Sequence, residues 1–193
     1  MSLNTVRRMI AISTSAPSTP RLRLQPTGSR RTLLDGGWWP RSTDPVAELP
    51  GLVLAIEWLR GPVTRLVLAA DGWDEHPRLL GVAGRVLRLG YFTSQPAALL
   101  TAVCDDNARV DLLIVPPDTD AGLAEAAMSL AATTGNLVHA QYLLITVAAA
   151  STRETGGVPE QSWETDGGRL RTRGSTARVR APRPTGPAAA TAA

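Results

Sequence analysis

The chain has 193 residues, 44% of them hydrophobic, and a formal net charge of +3. That length suggests one domain with appendages, and a domain of roughly 150 residues hides about 68–70% of its unfolded surface, so a sizeable core can form. The single cysteine, Cys104, excludes an internal disulfide framework and a cysteine-cluster metal site, and no apolar run reaches the ~18–20 residues of a membrane span.

All 20 basic residues are arginine. They are unevenly placed: residues 20–150 hold 11 Arg against 13 Asp or Glu, whereas residues 151–193 hold 7 Arg against 4 acids. The basic character belongs to the arms, so the globular part does not read as a basic nucleic-acid-binding body. Arg7-Arg8 precedes an apolar stretch of about four residues, shorter than the ~7–15 of an export signal. Together with the lone cysteine, this leads to the expectation of a cytoplasmic protein.

Residues 1–19 are rich in Ser, Thr and Pro without a period and read as a disordered arm. Arg21-Leu22-Arg23-Leu24-Gln25 alternates charged and apolar residues, the pattern of a half-buried strand. Next comes Leu34-Asp35-Gly36-Gly37-Trp38-Trp39-Pro40-Arg41-Ser42, read as a turn that concentrates aromatic bulk in a chain only 4% aromatic. Asp44 and Pro45 suit the N-cap and first position of a helix whose Val46, Leu49, Val53 and Ile56 form one apolar stripe. Pro50 interrupts that pattern and implies a kink or a later start; Gly61-Pro62 ends it.

Strands are expected over Val63–Ala70, Arg78–Val82, Arg85–Phe92, Ala97–Cys104 and Val110–Val115, joined by short links that suit antiparallel hairpins. Asp118-Thr119-Asp120 then caps a second helix carrying Leu123, Ala127 and Leu130, up to Gly135-Asn136. The run Leu137–Ala150 is apolar throughout, so helix and strand cannot be separated by period; it reads as a third packed element. Residues 151–193 read as a disordered Arg/Pro/Ala-rich tail.

No phosphate loop, metal-spaced His/Cys cluster or nucleophile elbow is present, so no catalytic residue, metal or cofactor is assigned and the chain leans away from an enzyme. His76, in a polar turn, reads as a solvated loop residue, and His139, in the apolar run, as a buried one. Asp105 and Asp106 beside Cys104 should raise the thiol pKa, the wrong direction for a nucleophile. The remaining candidates are Trp38, Trp39 and Trp73, all read as turn residues, with Arg41 beside them. If they meet at one end of the sheet they form an aromatic patch for a small ligand or a protein partner. The competing reading is a packing cluster, with Arg41 paired to a carboxylate such as Asp44. Arg169, Arg171, Arg173, Arg178, Arg180 and Arg183 make the tail a second candidate, for weak salt-dependent contact with nucleic acid.

Several blocks resemble an actinobacterial domain-of-unknown-function family, numbered 5994. They are Pro20-Arg21-Leu22-Arg23-Leu24 with Pro26-Thr27-Gly28, Asp35-Gly36-Gly37-Trp38-Trp39-Pro40-Arg41-Ser42, Ala47-Glu48-Leu49-Pro50, Gly84-Arg85-Val86 and Leu113-Ile114-Val115-Pro116-Pro117-Asp118-Thr119. The resemblance covers roughly residues 20–135 and implies no activity. Gly37 stands where that family's pattern has alanine, and Leu137–Ala193 falls outside it. The expectation is an α+β domain over residues 20–135, reaching 150 if the apolar run joins it. It has a mainly antiparallel sheet of five or six strands and two helices. Its expected function is non-enzymatic binding at the Trp-Trp-Pro-Arg turn, with regulatory nucleic-acid association through the tail as the alternative.

Overall fold

The computed structural model describes residues 10–13, 15–26 and 32–155. Eight strands are formed: β1 (Ile10–Ile12), β2 (Arg21–Leu24), β3 (Gly36–Trp39), β4 (Val63–Ala69), β5 (Leu79–Val82), β6 (Arg85–Phe92), β7 (Leu99–Cys104) and β8 (Arg109–Ile114). Three helices accompany them, α1 (Pro45–Arg60), α2 (Ala121–Ala131) and α3 (Ala140–Thr155). The strands make one mixed sheet in the order β1-β5-β6-β4-β7-β8-β3-β2. β3, β4, β6 and β8 run one way and the other four run against them.

This corrects the expected sheet of five or six mainly antiparallel strands with two helices. β1 is three residues long, too short for alternation to show, and it lies in the stretch read as a disordered arm. β3 lacks alternation because both of its faces are buried, so all four of its residues are inside. The apolar run after Asn136 supplies the third helix, α3. Parallel pairs arise without a helix between β4 and β6: the chain first lays down β5, and the tight β5–β6 turn then tucks β6 between β5 and β4. The only helical crossover in the described sheet is α1, which carries the chain from β3 to β4 over the intervening β8 and β7.

Locally the helix signals act as their chemistry requires. The Asp44 carboxylate accepts from the backbone N–H groups of Val46 and Ala47 at 2.8 and 3.3 Å, and α1 begins at Pro45, so Pro50 lies inside the helix and does not delay its start. Asp120 caps α2 in the same way, through Gly122 and Leu123. Gly61 closes α1 with φ +87°, a left-handed backbone that favours glycine, and its N–H bonds the Glu57 carbonyl.

The sheet has a core on each side. Under α1, Leu49, Leu52, Val53 and Ile56 pack with Trp38, Leu66, Leu68, Leu100 and Leu112. On the other side, Ala124, Ala127, Met128 and Ala131 of α2, with Leu143 and Val147 of α3, cover Leu34, Trp39, Leu113 and Val115. Trp38 and Trp39 therefore serve opposite cores, because consecutive strand residues point to opposite faces. Both lie on a strand, which corrects their reading as turn residues. The small side chains of α2 let it ride close on β3: a Cβ added to Gly37 would sit 2.9 Å from the Met128 Cα.

Candidate functional site

The four strands that run together, β3, β4, β6 and β8, deliver their C-terminal ends to one edge of the sheet. In open sheets with a crossover connection that edge is where a crevice for ligands opens. A cleft of about 360 Å³ occupies it here. Pro40, Ser42 and Thr43 enter it from the turn after β3, Asp71, Gly72 and Trp73 from the loop after β4, and Pro116, Pro117 and Asp118 from the turn after β8. Ala97, Ala98, Ile114 and Leu144 complete the lining. The size falls within the range of small-molecule sites, ~300–1,000 Å³, as does an apolar wall with few polar groups.

Hydrogen bonds tie the walls together. The Thr43 hydroxyl donates to Asp74 Oδ1 at 2.8 Å, and the Asp74 N–H donates to the Thr43 carbonyl at 3.1 Å. Trp39 Nε1 donates to the carbonyl oxygens of Pro116 and Pro117 at 3.1 and 3.3 Å, locking the turn after β8 to β3. Ile114 N–H bonds the Ala98 carbonyl at 2.8 Å, and Val115 N–H bonds the Trp38 carbonyl at 2.9 Å. The Ser42 hydroxyl donates to the buried Glu48 at 3.1 Å and is thereby oriented. Walls held in this way need little rearrangement to accept a ligand.

The four candidate residues of the turn part company. Trp73 lines the cleft, half-buried, and stacks on Trp38 at 6.1 Å between centroids and 18° between planes. Trp38 is fully buried and acts as the support beneath it. Trp39 belongs to the opposite core, where the Arg21 guanidinium lies 3.4 Å over its ring and donates to the Trp39 and Pro40 carbonyls. Burial, followed by the neighbouring Arg41 charge, lowers the Arg21 pKa from its ordinary value. Arg41 is exposed and donates to the Thr19 carbonyl at 3.0 Å, fastening the segment before β2; Asp44, its supposed partner, is spent on the helix cap. The three tryptophans and Arg41 thus do not form one patch.

Asp71 and Asp118 are the charged side chains of the cleft lining, both exposed and neither with an ion pair or hydrogen-bond partner among the described residues. The Pro116-Pro117-Asp118 wall and Leu144 of α3 were missed at the sequence level. The double proline signalled only a strand end, and nothing in an apolar run says which of its residues will reach a cleft.

His76 is exposed, as expected of a loop residue; its Nε2 lies 2.6 Å from the Ala70 carbonyl oxygen, and its ring meets Tyr91 edge-on at 4.7 Å. His139 is exposed, against the expectation that it is buried. Cys104 is buried, and burial is the first cause of its raised thiol pKa, followed by the charges of Asp106 and Glu57. Among the described residues no group of three His, Cys, Asp or Glu side chains stands where it could hold a metal ion, and no helix is long and apolar enough to cross a membrane. The tail arginines between Arg169 and Arg183 lie outside the described residues.

Fold and cleft together define a mixed α/β sheet domain with an apolar crevice at the C-terminal edge of its strands. Residues 21–131 match a family of unknown function, DUF5994, and the chain belongs to that family. No curated protein and no solved structure matches the chain.

Proposed function

We propose that the domain is a non-enzymatic binding module and that its site is the cleft walled by Trp73. The observation that carries this reading is the cleft's construction: an aromatic wall stacked on a buried tryptophan, facing prolines and aliphatic side chains across about 360 Å³, with walls tied by hydrogen bonds. Such a space takes a small molecule with a flat or apolar body. Ser42, Thr43, Asp71 and Asp118 supply hydrogen-bond acceptors at its rim, and with no arginine in the lining the ligand carries donors or a positive charge. This relocates the aromatic-turn site to Trp73, with Trp38 as support.

The test is a thermal-melt panel of amines and neutral planar metabolites against the full chain. A ligand present at ~100 times its dissociation constant adds about 2.7 kcal/mol of stability. Trp73→Ala and Asp118→Asn should abolish or weaken the shift, while Met128→Leu, in the opposite core and away from the cleft lining, should keep it. A hit that survives Trp73→Ala places the ligand elsewhere and ends this reading.

A further inference from the structure

The side of the sheet opposite α1 is covered by α2 and α3 over β2, β3, β8 and part of β7. Across β4 and β6 it is open, and there two arginines stand side by side: Arg65 of β4 is the register partner of Arg88 of β6, and both are exposed. Adjacent strands are about 4.8 Å apart, so the guanidinium stems leave the sheet as immediate neighbours. Like charges directly opposite one another destabilise a sheet. Neither side chain has an ion-pair or hydrogen-bond partner among the described residues.

The arrangement depends on a specific irregularity. The β4–β7 register shifts by one residue between Val63 and Arg65, leaving Thr64 as the extra residue. Val63 and Leu66 both face the core under α1, and the bulge is what turns Arg65 outward between them. The same row continues across the sheet: Arg65 pairs with Val103 of β7, and Val103 pairs with Arg109 of β8. In the next row of the same face Asp111, the partner of Thr101, is engaged by the Thr101 hydroxyl and, at 3.5 Å, by Arg109. Two residues beyond Arg88 on the same face comes Gly90, and the exposed Phe92 lays its ring over it: a Cβ at Gly90 would meet Phe92 Cε2 at 2.9 Å.

We infer that this open face is a platform for single-stranded nucleic acid, with Arg65 and Arg88 on the phosphates and the Phe92 ring stacked on a base. The charges are strung along a flat surface and do not converge in a pocket, which suits an extended polyanion. An exposed aromatic ring on the same face, held over Gly90, suits unstacked bases more than an acidic peptide. The domain's acidic net charge does not prevent this, because on β4 and β6 the charged side chains of this face are Arg65 and Arg88, and Asp111 farther along it is engaged by Thr101 and Arg109.

The experiment is fluorescence anisotropy of a mixed-sequence single-stranded dodecamer with the full chain, from 50 to 200 mM salt. Because the arginines between 169 and 183 are unchanged in every variant, the comparison isolates the sheet face. The double variant Arg65→Gln/Arg88→Gln should weaken binding about tenfold or more at 50 mM and flatten the salt slope by about 1.4, two single-strand phosphates' worth. Phe92→Ala should weaken binding roughly tenfold with the slope unchanged. Melting curves that match the parent show that the variants fold. Three results overturn the inference: no binding at 50 mM salt, unchanged affinity and slope in the double variant, or equal competition by polyglutamate with Phe92→Ala silent. The last would make the face a docking surface for acidic polypeptide.

Discussion

Between β3 and β8 the sheet is buried on both faces, whereas across β4 and β6 only the side under α1 is covered. The two halves accordingly follow different sequence patterns. In β6, Leu87, Leu89 and Tyr91 turn inward while Val86, Arg88 and Phe92 remain exposed, and this alternation is legible at sight. At the end of β8 and just past it, the run Leu112-Leu113-Ile114-Val115 has no alternation, because its members feed the two cores in turn. The Gly-Gly-Trp-Trp of β3 is the extreme case, with minimal side chains where α2 and β2 press closest and maximal ones where the cores need filling. A one-sided strand advertises its face; a two-sided strand advertises only that it is inside.

That contrast can be broken by experiment, and the largest effect is expected where both faces are buried. Trp39→Ala should cost about 3–5 kcal/mol by cavity formation, read by urea denaturation. It also releases the turn after β8, since the indole N–H holds Pro116 and Pro117. A loss below 1 kcal/mol would show that the second core is not packed as described.

Alkaline titration probes the one-sided half. Burial pushes the Tyr91 phenol up to about 12, above the ~10 of an unfolded tyrosine. The folded protein holds that proton longer, so Tyr91's contribution is whole below pH 10 and is lost as the pH rises through 12. Because the ring is only half-buried, solvent screening discounts the loss to about 1–2 kcal/mol. Stability measured from pH 9 to 12 should fall along that curve and flatten in Tyr91→Phe. Cys104, also raised by burial, adds a slope of the same sign, so a Cys104→Ala background separates the two.

Gly37→Ala sharpens the comparison further. The added methyl meets the Met128 backbone at 2.9 Å, so α2 must shift, at about 1–3 kcal/mol. A neutral result would show that α2 has slack over β3. The smallest effect belongs to the open face, where Arg65→Gln/Arg88→Gln should leave the unfolding free energy within about 0.5 kcal/mol of wild type or raise it, read by urea denaturation.

The sequence by itself determined the elements whose signals are local. The cap of α1 at Asp44-Pro45, its end at Gly61, the alternating strands β2 and β6, and the cap of α2 at Asp120 depend on neighbours within a few residues. It also marked Gly36–Trp39 as a concentration of bulk, though as a turn and not as the strand β3 that it forms. Only the tertiary structure decided that Trp38 and Trp39 lie on opposite sides of a strand. It also decided that Trp73, Pro116 and Leu144 share one crevice, and that a bulge at Thr64 sets Arg65 against Arg88. Those outcomes depend on which strands become neighbours, and strand order is set by crossovers such as α1 and insertions such as β6. No short window of sequence contains the partner that a strand will meet, so the cleft and the open face emerge only when the sheet is assembled.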